Sequence, residues 1–147
     1  MDNCIFCKIV KGEIPCDKVY ENDSTLAFLD INPVYPGHTL IVPKKHYSSL
    51  IEISEKDLGE VMKTVKQITP GILKSTNVKA FNLFQNNGKE AGQDVFHVHF
   101  HLIPRKEGDG LDIKLKTLKL SSEEMKKTAQ NIKKELSKFS DKNSRKA

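Results

Sequence analysis

The 147 residues are enough to bury one hydrophobic core, and a composition of 37% hydrophobic and 29% charged residues predicts a soluble globular protein. No stretch approaches the roughly 18 apolar residues of a membrane span, and the N-terminus lacks a basic region followed by an apolar run, so we expect no membrane association, no secretory signal and a cytoplasmic location. The net charge of +5 lies mostly in residues 121–147, which hold eight basic and four acidic side chains, so it indicates a solvated tail and disfavours a nucleic-acid partner.

The first half of the chain predicts short strands and turns. Residues 4–10 form a helical turn that ends at Gly12. Two extended segments flank a turn-forming Asn-Asp-Ser tripeptide, which is typical of a β-hairpin, and a β-branched segment closed by Pro43 follows a proline-rich loop. These three predicted strands lie at residues 19–21, 25–29 and 38–42.

The second half predicts two helices and two further strands. Ser54 is a helix N-cap followed by apolar residues at helical spacing, and Pro70-Gly71 is expected to end or kink that helix. The strands are predicted at residues 80–85 and 94–103, the latter being the longest and stopped by Pro104. The order favours an α+β domain over residues 1–120, with an antiparallel sheet packed against helices. An amphipathic helix at 121–138 is expected to pack on it, and residues 139–147 form a frayed basic tail.

The cysteines predict no disulfide framework, because their number is odd and no export signal is present. Cys4 and Cys7 form a C-x-x-C pair, and Cys16 stands alone. The pair fits a metal half-site, a redox motif or chance spacing, and the pattern by itself leaves all three open.

Three of the five histidines lie in the segment FHVHFHLIPR, residues 96–105. In a strand, His97, His99 and His101 share one face. The other face consists of apolar residues that must point to the core: Phe96, Val98, Phe100 and Leu102. Three neighbouring imidazoles make it harder for one another to take up a proton, and this arrangement brings no structural gain. The run therefore indicates a functional site.

The spacing of the run limits what the histidines share. At roughly 3.3 Å per residue the outer two lie about 13 Å apart, too far for one metal ion with bonds of about 2 Å. A neutral imidazole is also a nucleophile and a proton carrier near pH 7, which indicates an acyl or phosphoryl electrophile. The adjoining loop NNGKEAGQD offers backbone N–H groups, Asn86 and Gln93 to an anion, which favours phosphate.

The segment HVHFHLI resembles the H-x-H-x-H signature of the histidine-triad family. The segments CIFCKIVKGEIP, LDINPVYPGHTLIVPKKH and NNGKEAGQDV agree with that family in content and order, so the resemblance covers roughly residues 4–105. It is closest to the small branch of nucleoside-phosphoramidase-like and nucleotide hydrolases. It implies a homodimer in which each protomer has a five-stranded antiparallel sheet, a long central helix and a C-terminal helix.

The resemblance implies a hydrolase or nucleotidyl transferase that cleaves purine nucleotide conjugates, such as phosphoramidates and adenylates, and releases the nucleoside monophosphate. His99 would attack the α-phosphorus and form a covalent nucleotidyl-imidazole, His101 would bond the phosphate, and His38 matches a fourth active-site histidine. The nucleotide-binding residues implied are Asp30 and Asn32 at the ribose, Ile5, Phe6, Ile9, Phe28 and Ile31 around the base, and Asn86, Gln93 and Val95 along the phosphate. For Ile9 and Ile31, plain core packing is nearly as good an interpretation.

Some members with an N-terminal C-x-x-C bind zinc. The matching residues here are Cys4, Cys7, His46 and His97, a closed set that would be structural, with a reduced, metal-free cysteine pair as the alternative. His97 thus belongs both to the catalytic run and to the metal set.

One departure from the family pattern is Asp94, which stands where phosphoramidase-type relatives have a small hydroxyl residue. It could assist protonation of the leaving group or repel polyphosphate chains. Within the family, a dinucleoside-polyphosphate hydrolase or nucleotide phosphorylase is an alternative. An alternative of a different class is a zinc-stabilised nucleotide-binding module with vestigial catalysis. The intact His99 and His101 argue against the module, and the near-neutral charge of residues 1–120 argues against a nucleic-acid end-processing protein.

Overall fold

The structure, a computed structural model, describes residues 3–112 and 115–144, with side chains described as far as Phe139. It divides into two compact units, Met1–Leu111 and Asp112–Ala147. The elements of the first unit are α1 (Ile5–Val10), β1 (Lys18–Glu21), β2 (Thr25–Leu29), β3 (Thr39–Pro43), α2 (Glu55–Thr76), β4 (Ala80–Phe84), a 3₁₀ turn (Lys89–Ala91) and β5 (Phe100–Arg105). The second unit contains α3 (Ser122–Ser144).

The five strands form one antiparallel sheet in the order β1-β2-β3-β5-β4. The long helix α2 covers one face, where it buries Val61, Val65, Ile68 and Ile72 against Ala27, Ile41, Val98, Phe100 and Leu102. The short helix α1 lies against the other face and contributes Phe6 to a second cluster with Leu26, Phe28, Leu40 and Val42. The predicted α+β class and antiparallel sheet are confirmed.

Helix α2 begins where the sequence predicts it and ends later. The Ser54 side chain accepts a hydrogen bond of 3.1 Å from the backbone N–H of Asp57, which caps the helix. The helix does not end at Pro70-Gly71 but continues to Thr76. Because Pro70 is exposed and apolar residues anchor the helix on both sides of it, the carbonyl that loses its helix partner can bond water instead.

The last strand of the sheet begins later than predicted. β5 starts at Phe100, so the first two histidines of the run precede it. The backbone of that preceding segment bonds elsewhere: the Val98 N–H donates to the Tyr47 carbonyl at 2.7 Å, and the His97 N–H donates to the Val95 carbonyl at 2.9 Å. The predicted strand over residues 94–103 is therefore wrong in its first half.

Burial around the histidine run alternates only in part. Val98, Phe100 and Leu102 lie in the core under α2, but Phe96 is 52% exposed, and the prediction that it faces the core is wrong. The alternation fails there because the segment is not a strand.

Pro104 does not stop β5 either. β3 pairs with β5 only as far as Leu102, so Pro104 has a neighbouring strand on one side alone, where sheets tolerate proline.

The second unit contains the predicted C-terminal helix. It starts one residue after the expected Ser121 and continues past Lys138 to Ser144. Residues 145–147 of the predicted tail lie outside the described residues, and the packing of the helix on the domain stays a prediction. None of the helices in the described part of the chain has the length and apolar character that crossing a membrane requires.

Candidate active site and metal cluster

A pocket of about 380 Å³ opens on the α1 face of the sheet. Helix α1, the ends of β2 and β3, the loop before β5 and the histidine run all contribute to its wall. The lining residues are Ile5, Phe6, Ile9, Phe28, Asp30, Ile31, Asn32, Leu40, Asn86, Gly92, Asp94, Val95, His99 and His101. The pocket is thus apolar at the α1 end and polar at the histidine end, the pattern of a small-molecule site.

Helix α1 supplies the apolar wall. Ile5 and Ile9 lie one helical turn apart and both line the pocket. Phe6 is buried, and its ring meets the Phe28 ring edge-on at 5.6 Å and the His99 ring edge-on at 5.2 Å. These aromatic contacts connect the apolar wall to His99, the imidazole that the family resemblance implies as the nucleophile.

His99 is buried and has one nitrogen committed. Its Nδ1 lies 2.6 Å from the carbonyl oxygen of His97, and since a carbonyl only accepts, Nδ1 carries the proton. A neutral imidazole protonated at Nδ1 has its lone pair on Nε2. In its neutral form His99 therefore presents an unprotonated Nε2, the form that a nucleophile needs.

His101 and His38 are hydrogen-bonded to each other. The Val34 N–H donates to His38 Nδ1 at 3.3 Å, so the proton of neutral His38 is on Nε2, which lies 2.9 Å from His101 Nδ1. His38 Nε2 then donates to His101 Nδ1, and neutral His101 carries its own proton on Nε2. His101 lines the pocket, whereas His38 lies behind it and is 4% exposed.

The surroundings keep these imidazoles uncharged. Burial, and to a smaller extent the neighbouring His99 and His38, lower the pKa of His101 to about 4 against the opposing influence of Asp30. Burial also lowers the pKa of His38, again against the influence of Asp30. His101 is therefore a neutral hydrogen-bond donor at pH 7, able to bond a phosphate oxygen.

The Asp30 carboxylate contacts both the loop after β2 and the hydrogen-bonded pair of His38 and His101. Its Oδ1 accepts from the Asn32 N–H at 2.8 Å, and its Oδ2 lies 3.6 Å from His38 Nε2 and 3.9 Å from His101 Nδ1. The ligand atoms of Asp30, His38 and His101 are close enough for a metal ion. The direct hydrogen bond between the two imidazoles occupies the nitrogens that such an ion would need.

The loop before β5 is held together by its own hydrogen bonds. The sequence predicts that this loop offers backbone N–H groups to an anion. The N–H groups of Ala91, Gly92 and Gln93 instead donate to carbonyls within the loop, so these three donors are not available to an anion. Gln93 is 2% exposed and does not line the pocket: its Nε2 donates to the Ser48 and Val95 carbonyls, and its Oε1 accepts from the Gly88 N–H. Gln93 stabilises the loop rather than facing the predicted phosphate channel.

A second cluster lies on the other side of α1. Cys4, Cys7, His46 and His97 place their four ligand atoms within 4.8 Å of one another. His97 Nδ1 lies 3.5 Å from each sulfur, and His46 Nδ1 lies 3.3 Å from Cys7 Sγ. His97 Nε2 donates to the Pro43 carbonyl at 2.8 Å, so the Nδ1 that faces the thiols is unprotonated.

This donor set can hold a metal ion. Burial lowers the pKa of His97 to about 4, which keeps its ring neutral, and a neutral imidazole is the form that coordinates a metal. The four ligands leave no open position, which is typical of a structural rather than a catalytic centre.

The predicted site residues divide into three groups. Those in the pocket are Ile5, Phe6, Ile9, Phe28, Asp30, Ile31, Asn32, Asn86, Val95, His99 and His101. His38 and Gln93 lie behind it, and His97 joins the metal cluster. Ile31 is 87% exposed, so it is not a core residue. The sequence does not single out Leu40, which lies between Phe28 and His101 across the sheet, because the apolar run that follows His38 has no alternation to mark its pocket face.

The chain is similar in sequence to proteins of one known family. The family model described as HIT domain matches residues 11–108. Adenosine 5′-monophosphoramidase hnt1 of Schizosaccharomyces pombe is 43% identical over 131 residues, 88% of this chain and 96% of that protein. Adenylylsulfatase HINT3 of Arabidopsis thaliana is 45% identical over 126 residues, 83% of this chain but 64% of that longer protein.

Solved structures agree with the fold. A HIT family protein from Bacillus anthracis is 42% identical, with a TM-score of 0.83 and coverage of 91% of this chain and 97% of that one. A Zn-bound histidine triad family protein from Mycobacterium smegmatis is 33% identical, with a TM-score of 0.72 and coverage of 80% and 85%.

Proposed function

The chain belongs to the histidine-triad (HIT) family, and from this premise we propose that it hydrolyses purine nucleotide conjugates, phosphoramidates and adenylates, at the α-phosphorus. The observation that carries the proposal is the hydrogen bond from His99 Nδ1 to the His97 carbonyl, which leaves Nε2 unprotonated on a pocket of nucleotide size. The relatives named as a phosphoramidase and an adenylylsulfatase support the same reaction class.

The reaction proceeds in two displacements at phosphorus. The Nε2 lone pair of His99 forms a bond to the α-phosphorus, and the bond to the leaving group breaks with its electron pair going to the leaving atom, which takes a proton from water. A second water then attacks phosphorus, its proton passes to solvent, and the broken N–P bond returns its electron pair to Nε2. The product is the nucleoside monophosphate.

His101 stabilises the charge that develops on the phosphoryl oxygens. Its Nε2 carries a proton because Nδ1 accepts from His38, and its low pKa keeps that arrangement at neutral pH. A hydrogen-bond donor fixed before the reaction costs no reorganisation when negative charge grows. Asp30 and Asn32 line the pocket where they can bond ribose hydroxyls, and Ile5, Phe6 and Phe28 can enclose the base.

Zinc is the metal we propose for the Cys4, Cys7, His46 and His97 cluster. With Zn–S bonds of about 2.3 Å and Zn–N bonds of about 2.1 Å, the sulfur and nitrogen ligands of a tetrahedral site lie about 3.6 Å apart. The sulfur–nitrogen distances of 3.3 and 3.5 Å agree with that spacing. The bound ion would hold α1 against the histidine run, and it takes no part in the chemistry at phosphorus.

A homodimer is also part of the proposal. β4 is an edge strand of the sheet, and two of its large apolar side chains, Phe81 and Leu83, are exposed. An edge strand with an apolar face is a ready surface for a second copy of the chain.

The test is a product assay with a variant of the nucleophile. Wild type, His99→Ala and the exposed-site control Lys63→Ala are incubated with adenosine 5′-phosphoramidate, an aminoacyl adenylate and diadenosine tetraphosphate. We expect wild type and the control to release AMP. The rate of His99→Ala should be lower by on the order of a thousandfold or more, as for the loss of other catalytic nucleophiles. Wild-type turnover by His99→Ala on every substrate cleaved would show that the nucleophile is elsewhere.

A zinc-stabilised binding module without catalysis is the second candidate. Such a module would bind AMP and release no product from any of these conjugates. The tautomers of His99 and His101 favour the enzyme, because nucleotide binding alone does not require a buried imidazole with an unprotonated Nε2.

A further inference from the structure

The charges around the pocket are unusual for a site that binds phosphate. Among the described residues, the lining contains two carboxylates, Asp30 and Asp94, and no lysine or arginine. Of its two histidines, His101 is kept neutral at pH 7 by its lowered pKa. One phosphate diester or amidate group can be held by neutral donors. A chain of further phosphates would bring more negative charge to a wall that offers no cation.

Asp94 is the carboxylate of the pocket that has no partner. Asp30 accepts from the Asn32 N–H and lies near His38 and His101, whereas no side-chain hydrogen bond or ion pair involves Asp94 among the described residues. Its side chain is exposed.

The backbone around Asp94 is fixed. The neighbouring Gln93 is 2% exposed and is bonded to the Ser48 carbonyl at 2.7 Å and to the Gly88 N–H at 2.9 Å. On the other side, Val95 packs against the core under α1 and its carbonyl accepts from Gln93 and from the His97 N–H. A carboxylate carried by a rigid segment and bonded to nothing is placed to act on what enters the pocket.

We propose that Asp94 sets the leaving-group specificity of this site. Its carboxylate favours conjugates that release an amine and disfavours conjugates that release phosphate or a phosphate chain. The inference rests on the proposed function, since it concerns the group that departs when His99 attacks the α-phosphorus.

The two classes of leaving group develop charge of opposite sign. The nitrogen of a P–N bond takes a proton from water before the bond breaks, so the departing group is positively charged as the His99 Nε2–P bond forms. The electron pair of the P–N bond then goes to that nitrogen, and the group leaves as a neutral amine. When a P–O–P bond breaks, the electron pair goes to oxygen and the departing phosphate is an anion. A carboxylate beside the departing group stabilises the charge that develops in the first transition state and repels the charge that develops in the second.

The experiment compares two AMP conjugates in each variant. The substrates are AMP joined through a P–N bond to an alkyl amine, and diadenosine tetraphosphate. The kcat/KM of each is measured for wild type, Asp94→Asn, Asp94→Lys and the control Glu90→Gln, which changes a carboxylate of the same loop outside the pocket. Asp94→Asn keeps the size of the side chain, so it remains informative if the lysine variant fails to fold.

We expect the ratio of amine to polyphosphate kcat/KM to fall about ten- to a hundredfold in Asp94→Asn, to fall further in Asp94→Lys, and to stay unchanged in Glu90→Gln. A ratio in Asp94→Asn within about twofold of wild type overturns this inference. If the ratio is unchanged while turnover still depends on His99, only the specificity role fails. If His99→Ala cleaves both substrates like wild type, the proposed function fails with it.

Discussion

At the scale of single residues, backbone carbonyls decide the chemistry of the histidines. The Pro43 carbonyl accepts from His97 Nε2 and leaves Nδ1 for the thiols, while the His97 carbonyl accepts from His99 Nδ1 and leaves Nε2 for the pocket. Two adjacent members of one run therefore present opposite nitrogens. Mutation of a ring changes one role, but a shift of this backbone segment would change both.

The neutral state of His101 leads to a prediction about stability and pH. The folded-state pKa of about 4 lies below the value of about 6.5 expected for an unfolded chain. The stability from the neutral ring is complete above pH 6.5 and is lost as the pH falls toward 4, because the unfolded chain then binds a proton that the folded chain does not.

His101→Asn keeps an acceptor for His38 Nε2 but does not titrate. We expect the free energy of unfolding to fall less steeply in this variant as the pH decreases from 6.5 to 4. The slopes of wild type and variant should differ by up to about 1.4 kcal/mol per pH unit. Urea unfolding at a series of pH values measures both curves. Parallel curves for the two proteins would mean that His101 is not held neutral by its surroundings.

The sequence predicts which residues meet in the pocket, but not how their side chains are held. The pattern and the family resemblance bring Asp30, His99 and His101 to one pocket, as the structure places them. The role of Gln93 cannot be read from the sequence, because the loop closes on its own amide and carbonyl groups. Leu40 is missed because a single leucine in an apolar strand gives no signal of which face it occupies.

At the scale of secondary-structure elements, α1 has two roles. Its N-cap Cys4 and its Cys7 face the metal cluster, while Ile5 and Ile9 line the pocket. The helix has only six residues, too few to be stable without tertiary contacts. An ion bound by the two thiols would hold the apolar wall of the pocket in place.

The double variant Cys4→Ser/Cys7→Ser tests this connection. We expect about one zinc ion per chain in wild type and none in the variant, with unfolding easier by about 2 kcal/mol or more. The KM for the phosphoramidate should rise more than kcat falls, because the base wall is disturbed and His99 is not. Metal analysis, thermal unfolding and steady-state kinetics measure these effects.

Cys16→Ser is the matched control, since Cys16 lies outside the cluster. It should keep both the metal and the KM of wild type. Absence of zinc from wild type purified without chelators would contradict the metal assignment, and an unchanged KM in the double variant would contradict the link through α1.

The late start of β5 shows where an element cannot be predicted from its own residues. The segment from Asp94 to Ile103 alternates like a strand, and its second half pairs as expected. In its first half the backbone N–H of Val98 bonds to the Tyr47 carbonyl instead of a strand partner. That choice depends on the loop after β3, which lies far away in the sequence.

At the scale of the whole molecule, the sequence predicts the sheet and helices well because two periodicities are clear in it. Apolar residues repeat at helical spacing in α2 and alternate at the end of β5, and the continuous apolar runs of β2 and β3 are buried on both faces of the sheet. The strand order and the register are fixed by contacts between distant segments, and the sequence leaves them open.

The last prediction concerns the C-terminal unit. The residues of the pocket and of the metal cluster all lie between Cys4 and His101, so we expect a chain ending at Leu120 to keep its metal and its His99-dependent turnover within about threefold. The removed residues carry four of the five net positive charges, so the shortened chain should elute from a heparin column at lower salt than the full chain. Loss of turnover by more than about tenfold, in a shortened chain that still folds, would mean that residues after Leu120 complete the site.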